Sequence, residues 1–142
     1  MLKYANFDIV FQEIPDEVTL AINISNCPNR CPDCHSKYLW GDIGEVLDRT
    51  SLDALVARYE KDITCVCFMG GDADPYAVAN LAIYLKSQHP QLKTGWYSGK
   101  NELPVAFHAE VFDYIKLGRY DAQYGPLDSP STNQRMMKRL AD

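Results

Sequence analysis

Four strand-like runs separated by helical segments within 142 residues constrain this chain more than any other feature. The run from Val18 to Ile24 is rich in β-branched residues, reads as a mostly buried strand and ends at Ser25-Asn26. A second run, from Ile63 to Met69, is stopped by Gly70-Gly71; Leu92 to Tyr97 and Tyr114 to Leu117 are the third and fourth. Between the first two, Thr50 offers an N-cap with Asp53 three residues on, and Leu52, Leu55, Val56 and Tyr59 recur at helical spacing. Pro75 suits the first turn of another helix, whose Val78, Ala82 and Leu85 share a face until His89-Pro90. A short helix is expected around Pro104 to Glu110, a peripheral strand from Phe7 to Phe11, and a loop-like tail from Arg119 to Ser131. This alternation indicates βαβ units on a parallel sheet. Eight such units close a barrel at about 250 residues, and here there is room for about half of that. The expected fold is therefore α/β: an open partial (β/α) barrel of mainly parallel strands, with residues 1–142 as a single domain.

Composition removes several function classes. The net charge of −5, from 14 basic and 19 acidic side chains without a Lys/Arg cluster, leaves no footprint for nucleic acid. No apolar stretch approaches the ~18 residues of a membrane span, and Met1 to Asp8 carries no signal-peptide pattern. Five cysteines, an odd number without a secretion signal, argue for reduced thiols and a cytoplasmic protein. In sheets of this class ligands sit at the carboxyl ends of the strands. Three segments leave those ends carrying unusual residues: Asn26 to His35, Gly70 to Pro75 and Ser98 to Asn101.

The first holds Cys27-Pro28-Asn29-Arg30-Cys31-Pro32-Asp33-Cys34-His35, a C-x3-C-x2-C cluster. Three thiols this close exceed what core packing uses, since a lone buried Cys behaves as a small hydrophobe. A zinc site would need a fourth ligand; His35 adjoins Cys34, which is awkward for one tetrahedron, and no second CxxC knuckle follows. A c-type haem or a thioredoxin-like dithiol would use Cys31 and Cys34 and leave Cys27 over. A [4Fe–4S] cluster held by three cysteines uses all of them and leaves one iron open to a further ligand.

The motif, with Gly-Gly-acid after the next strand, resembles the radical S-adenosylmethionine superfamily. Asn26 to His35, Phe68-Met69-Gly70-Gly71-Asp72, Trp96-Tyr97-Ser98-Gly99, Asp113 to Gly118 and Thr132-Asn133-Gln134-Arg135 together are similar to the activating proteins of anaerobic ribonucleoside-triphosphate reductases. The similarity covers roughly residues 5–137; the cysteine motif indicates the superfamily, and the small size and Asn-Gln-Arg end indicate this branch. It implies that Cys27, Cys31 and Cys34 hold a [4Fe–4S] cluster whose open iron chelates the amino and carboxylate groups of S-adenosylmethionine. One-electron reduction would split that molecule to methionine and a 5′-deoxyadenosyl radical. The radical would take a hydrogen from a glycine in the large subunit of the reductase.

On the same resemblance Gly70 and Gly71 would let backbone approach the methionine moiety, and Asp72 would accept from its ammonium group. By themselves these residues also suit a strand-ending turn with an acid at a helix N-terminus. Asp33, Cys34 and His35 would flank the adenine; Asp33 stands where many superfamily members carry an aromatic, and His35 is either a stacking ring or a surface histidine. Ser98 and Lys116, on the same rim, are candidates for ribose or carboxylate contacts, or else a turn serine and a solvated lysine. Cys65 and Cys67 share one strand face and read as buried structural thiols. The electron would come from a flavodoxin or ferredoxin, since no ferredoxin-like domain accompanies the motif. An open barrel side would admit a protein substrate. The other readings are a radical enzyme acting on a small molecule and a non-catalytic zinc-binding module.

Overall fold

A computed structural model describes residues 2–11, 14, 16–25, 41, 43–100, 103–105, 107 and 109–118, and the backbone of Arg135–Lys138. Among the described residues seven strands form one sheet: β1 (Lys3–Val10), β2 (Thr19–Ile24), β3 (Glu45–Val46), β4 (Cys65–Met69), β5 (Lys93–Tyr97), β6 (Tyr114–Leu117) and β7 (Arg135–Lys138). Their order is β3-β1-β2-β4-β5-β6-β7. The four central strands, β2, β4, β5 and β6, are parallel neighbours. The pairs β1–β2, β1–β3 and β6–β7 are antiparallel. The sheet is open, with β3 and β7 as its edges, so the α/β class and the parallel centre stand as expected.

Helix α1 (Arg49–Tyr59) starts one residue before Thr50. Its N-cap is Asp48, whose carboxylate accepts from Ser51 N–H at 2.9 Å while Ser51 Oγ accepts from Asp48 N–H at 2.9 Å. This reciprocal box satisfies two end groups and supersedes the expected Thr50–Asp53 cap. Helix α2 (Pro75–Gln88) is capped by Asp74, with Pro75 at its start. Of the short helix expected around Pro104 to Glu110, the described residues show a 3-10 turn, Ala109–Val111; Ala106 and His108 lie outside them. Val105 lies outside that turn, its carbonyl accepting from the Tyr76 hydroxyl at 2.5 Å. Phe112 stacks on both Trp96 and Phe107, and Phe107 meets the indole at a tilt of 38°, so the three rings pack together against the sheet.

All three parallel connections advance in the same direction along the sheet, and both helices pack on one face. Leu20, Ile22 and Ile24, with Val66, Phe68, Trp96, Ile115 and Leu117, meet Leu52, Leu55 and Val56 of α1 and Val78, Ala82 and Leu85 of α2. The other face has no helix among the described residues. Its floor holds Ile14, Cys65, Cys67 and Tyr114, all buried. Ile14 comes from the β1–β2 connection; a β-carbon at Gly95 would stand 2.7 Å from its Cδ1, so the bare glycine admits it. Below it the buried Glu17 carboxylate accepts from Thr64 Oγ1 at 2.8 Å and the Tyr114 hydroxyl at 2.9 Å, with Lys93 Nζ 3.4 Å away. These bonds close the amino end of the helix-free face.

Candidate functional site

Gly70 and Gly71, directly after β4, have φ of +105° and +89°. Only glycine enters this region without strain. Packing adds to the requirement, because a β-carbon on Gly71 would lie 2.5 Å from Val78 Cγ2, and one on Gly70 would lie 3.2 Å from the Ile24 carbonyl oxygen. The missing side chains thus face the protein's own interior. The turn conformation demands glycine here. The turn is held from β5: Gly70 N–H donates to Tyr97 O at 2.9 Å, and the buried Trp96 indole donates to Gly70 O at 2.7 Å.

Asp72 is not the cap of α2; that is Asp74. Instead its Oδ1 accepts from Ser98 Oγ at 2.6 Å and its Oδ2 from Gly99 N–H at 2.8 Å. One carboxylate therefore clasps the loops after β4 and β5. Ser98 is buried, and its Oγ also accepts from Lys100 N–H at 3.0 Å. Lys116 is not a solvated lysine: it is 9% exposed, its Nζ donating to Gly118 O at 3.2 Å and lying 5.2 Å from the Tyr97 ring centre. Gly70, Gly71, Asp72, Ser98 and Lys116 are thus brought together at the carboxyl ends of three adjacent parallel strands.

The cysteine motif starts three residues after β2 ends. Asp33, His35 and the three cysteines, Cys27, Cys31 and Cys34, lie outside the described residues, as does the Asn133-Gln134 part of the tail. What brackets the motif is described. Ser25, buried, donates from N–H to Lys3 O at 2.9 Å and from Oγ to Ile43 O at 2.6 Å. Ile24 packs against both glycines of the Gly70-Gly71 turn. The last residue of β2, Ile24, therefore lies beside the turn that leads into Asp72.

The described residues contain no cluster of three His, Cys, Asp or Glu suited to a metal ion. Burial, then Glu17, pushes the Cys65 thiol up to about 12, which keeps it a neutral core group. Cys67 is also buried, with its sulfur 3.5 Å from Met69 Sδ. Of the five cysteines, the three left as candidate metal ligands are Cys27, Cys31 and Cys34, which lie outside the described residues. A cleft of about 580 Å³ between β1 and α1, lined by residues such as Phe7, Glu45 and Arg58, contains none of the expected site residues. Among the described residues no helix is long and apolar enough to cross a membrane.

Sequence reasoning passed over Asn6 and Asn23, whose side chains meet at 2.6 Å beside this rim. The available signal was Asn23 itself, a carboxamide inside the apolar run of β2. Compared with models of known protein families, with curated proteins and with solved structures, the chain gives no match.

Proposed function

We propose that this chain is an activase of the radical S-adenosylmethionine type, an open partial barrel that installs a glycyl radical on the large subunit of an anaerobic ribonucleotide reductase. The observation that carries the reading is the shared rim: Ile24, at the end of the strand that precedes Cys27, packs beside the Gly70-Gly71-Asp72 turn that Ser98 clasps. Cys27, Cys31 and Cys34 would hold the [4Fe–4S] cluster, in a reducing cytoplasm that keeps the thiols available. When bound, the cluster and S-adenosylmethionine supply one-electron reductive cleavage and a radical that abstracts hydrogen. Asp72, fixed in orientation by Ser98 and Gly99, would receive the ligand's ammonium group through a charge-assisted bond. Lys116, with little access to water, would meet a carboxylate or ribose hydroxyl. Asp33 and His35 would flank the adenine.

Anaerobic reconstitution with iron and sulfide tests the cluster: a brown protein with about four irons per chain is expected. Bound zinc with no iron uptake would make the chain a zinc module instead. Reduced by flavodoxin or ferredoxin and given S-adenosylmethionine with the reductase subunit, the protein should produce a glycyl-radical doublet in electron paramagnetic resonance. Deoxyadenosine without that doublet would indicate a small-molecule substrate.

A further inference from the structure

A parallel strand packed on both faces reads as an unbroken apolar run, and Asn23 interrupts β2. Leu20, Ile22 and Ile24 face the helices, so Asn23 belongs to the helix-free face. Register places it in one line across five strands: Asn6 pairs with Asn23, Asn23 with Met69, Met69 with Tyr97, and Tyr97 with Lys116. The line below it is different. Ala21, Cys67, Gly95 and Tyr114 are small or fully buried and sealed by Ile14. Asn23, Met69 and Tyr97 are half-buried. At the level of the Asp72 clasp the core gives way to a row that carries Asn6, Asn23, the Tyr97 hydroxyl and Lys116 around an apolar Met69.

The row covers four strand spacings, about 19 Å at ~4.8 Å each, which matches about six residues of extended chain. A nucleoside-sized substrate would occupy only part of it. Asn23 Nδ2 donates to Asn6 Oδ1, and Asn6 is its one side-chain hydrogen-bond partner among the described residues. A carboxamide carries two donors and an acceptor oxygen, the groups that complement a peptide bond. With one N–H held by Asn6, the orientation of the other groups is set.

We propose that Asn23 hydrogen-bonds the backbone of the peptide segment presented for hydrogen abstraction, and that Asn6 is the positioning residue that orients it. This rests on the activase reading above and adds the residues that select a peptide over a small molecule. No covalent step is involved; the row holds the segment in register while the chemistry proceeds at the rim.

The test uses the full chain, reconstituted with iron and sulfide, and the intact large subunit of anaerobic ribonucleotide reductase as substrate. Asn23→Ala should raise KM for that subunit about tenfold, the equivalent of one hydrogen bond. S-adenosylmethionine cleavage without protein substrate should stay within about twofold of wild type. Asn6→Ala should raise the same KM by about threefold, a partial loss of orientation. Asn6→Asp keeps an oxygen acceptor for the Asn23 amide and should remain within about twofold. Should Asn23→Ala fail to fold, the Asn6→Ala and Asn6→Asp pair decides by the same readout. An unchanged KM for the subunit, or an equal loss of cleavage without it, overturns this inference alone. A wild type that takes up no cluster or cleaves no S-adenosylmethionine overturns the activase reading, and this inference with it.

Discussion

On the proposed function Asp72 joins two roles, a clasp between loops and a contact to the ligand's ammonium group, that a pair of substitutions separates. Its carboxylate accepts from Ser98 Oγ at 2.6 Å and Gly99 N–H at 2.8 Å, so Asp72→Ala removes both bonds between the loops. Bonds to a charged group are worth ~1.5–3 kcal/mol each, and this half-buried site warrants the lower end, so a loss of about 2–4 kcal/mol is expected. At roughly 3 °C per kcal/mol for a chain of this length, melting falls by about 6–12 °C. Asp72→Asn differs: its amide oxygen can still accept from Gly99 N–H, and its NH2 can donate to Ser98 Oγ. The clasp survives in neutral form, and the loss is about 1 kcal/mol, or ~3 °C. Neither variant carries the charge that would meet an ammonium group. Both should therefore bind S-adenosylmethionine about 10- to 100-fold more weakly, at unchanged iron content. Thermal melts of the metal-free protein and equilibrium binding to reconstituted protein give the two readouts. Wild-type affinity in Asp72→Asn would reduce the carboxylate to a clasp. Wild-type melting in Asp72→Ala would refute the clasp itself.

Other outcomes follow from the same geometry. Gly71→Ala combines ~1–2 kcal/mol for a side chain at φ +89° with ~1–3 kcal/mol for a β-carbon 2.5 Å from Val78 Cγ2. Denaturant melts should show the sum, and Gly71→Ala with Val78→Ala should show positive coupling because the overlap is relieved. Trp96→Phe leaves the Gly70 carbonyl without the indole donor and should lose about 1–3 kcal/mol. At alkaline pH the unfolded chain releases the Cys65 proton near its ordinary 9.0, whereas the native thiol holds it to about 12. The native state then binds more protons than the unfolded one, and stability falls through that window by up to about 1.4 kcal/mol per pH unit. Burial and the bond to Glu17 raise the Tyr114 hydroxyl as well, adding to the slope above pH ~10. Cys65→Ala should flatten this limb. With Cys27, Cys31 and Cys34 replaced by serine, native protein at pH 8 should resist thiol reagents until it is denatured.

The buried parallel strands were legible because burial on both faces leaves a continuous apolar run, and β2, β4, β5 and β6 fall within a residue or two of the expected bounds. The edges were not. Glu45 and Val46 are both exposed and pair with β1 by backbone register and one Tyr4 hydroxyl–Glu45 carboxylate bond, with no buried side chain to mark them, and Arg135–Lys138 joins β6 without an apolar pattern. Strand β1 reaches back to Lys3 through an irregularity between Tyr4 and Asn6 that breaks the alternation on which a sequence reading depends. For α1, Asp48-x-x-Ser51 and Thr50-x-x-Asp53 are both cap-like spacings; the backbone chose the one whose two side chains reciprocate. Lys116 was ambiguous because a four-residue strand does not declare which face its neighbours bury.

The candidate site divides along the same line. Glycine pairs and cysteine spacings are local signals, so Gly70, Gly71 and the cysteine stretch could be named at once. The Asp72–Ser98 clasp and the Asn6–Asn23 pair join residues 26 and 17 positions apart, and they exist only because the strands are in register. The core sets that register. Sliding β2 by one residue would turn Leu20, Ile22 and Ile24 onto the helix-free face and bury Asn23 against Phe68 and the helices. Exposing three aliphatic side chains forfeits ~1.5–3 kcal/mol each, and an unpaired buried carboxamide adds ~1–3 kcal/mol more. That sum is comparable to the whole stability of a domain this size. The alignment of Asn6, Asn23, Tyr97 and Lys116 at the rim thus takes its precision from the helix-side core, and a helix-side substitution such as Ile22→Ala should loosen the Asn6–Asn23 pair even though it leaves both asparagines in place.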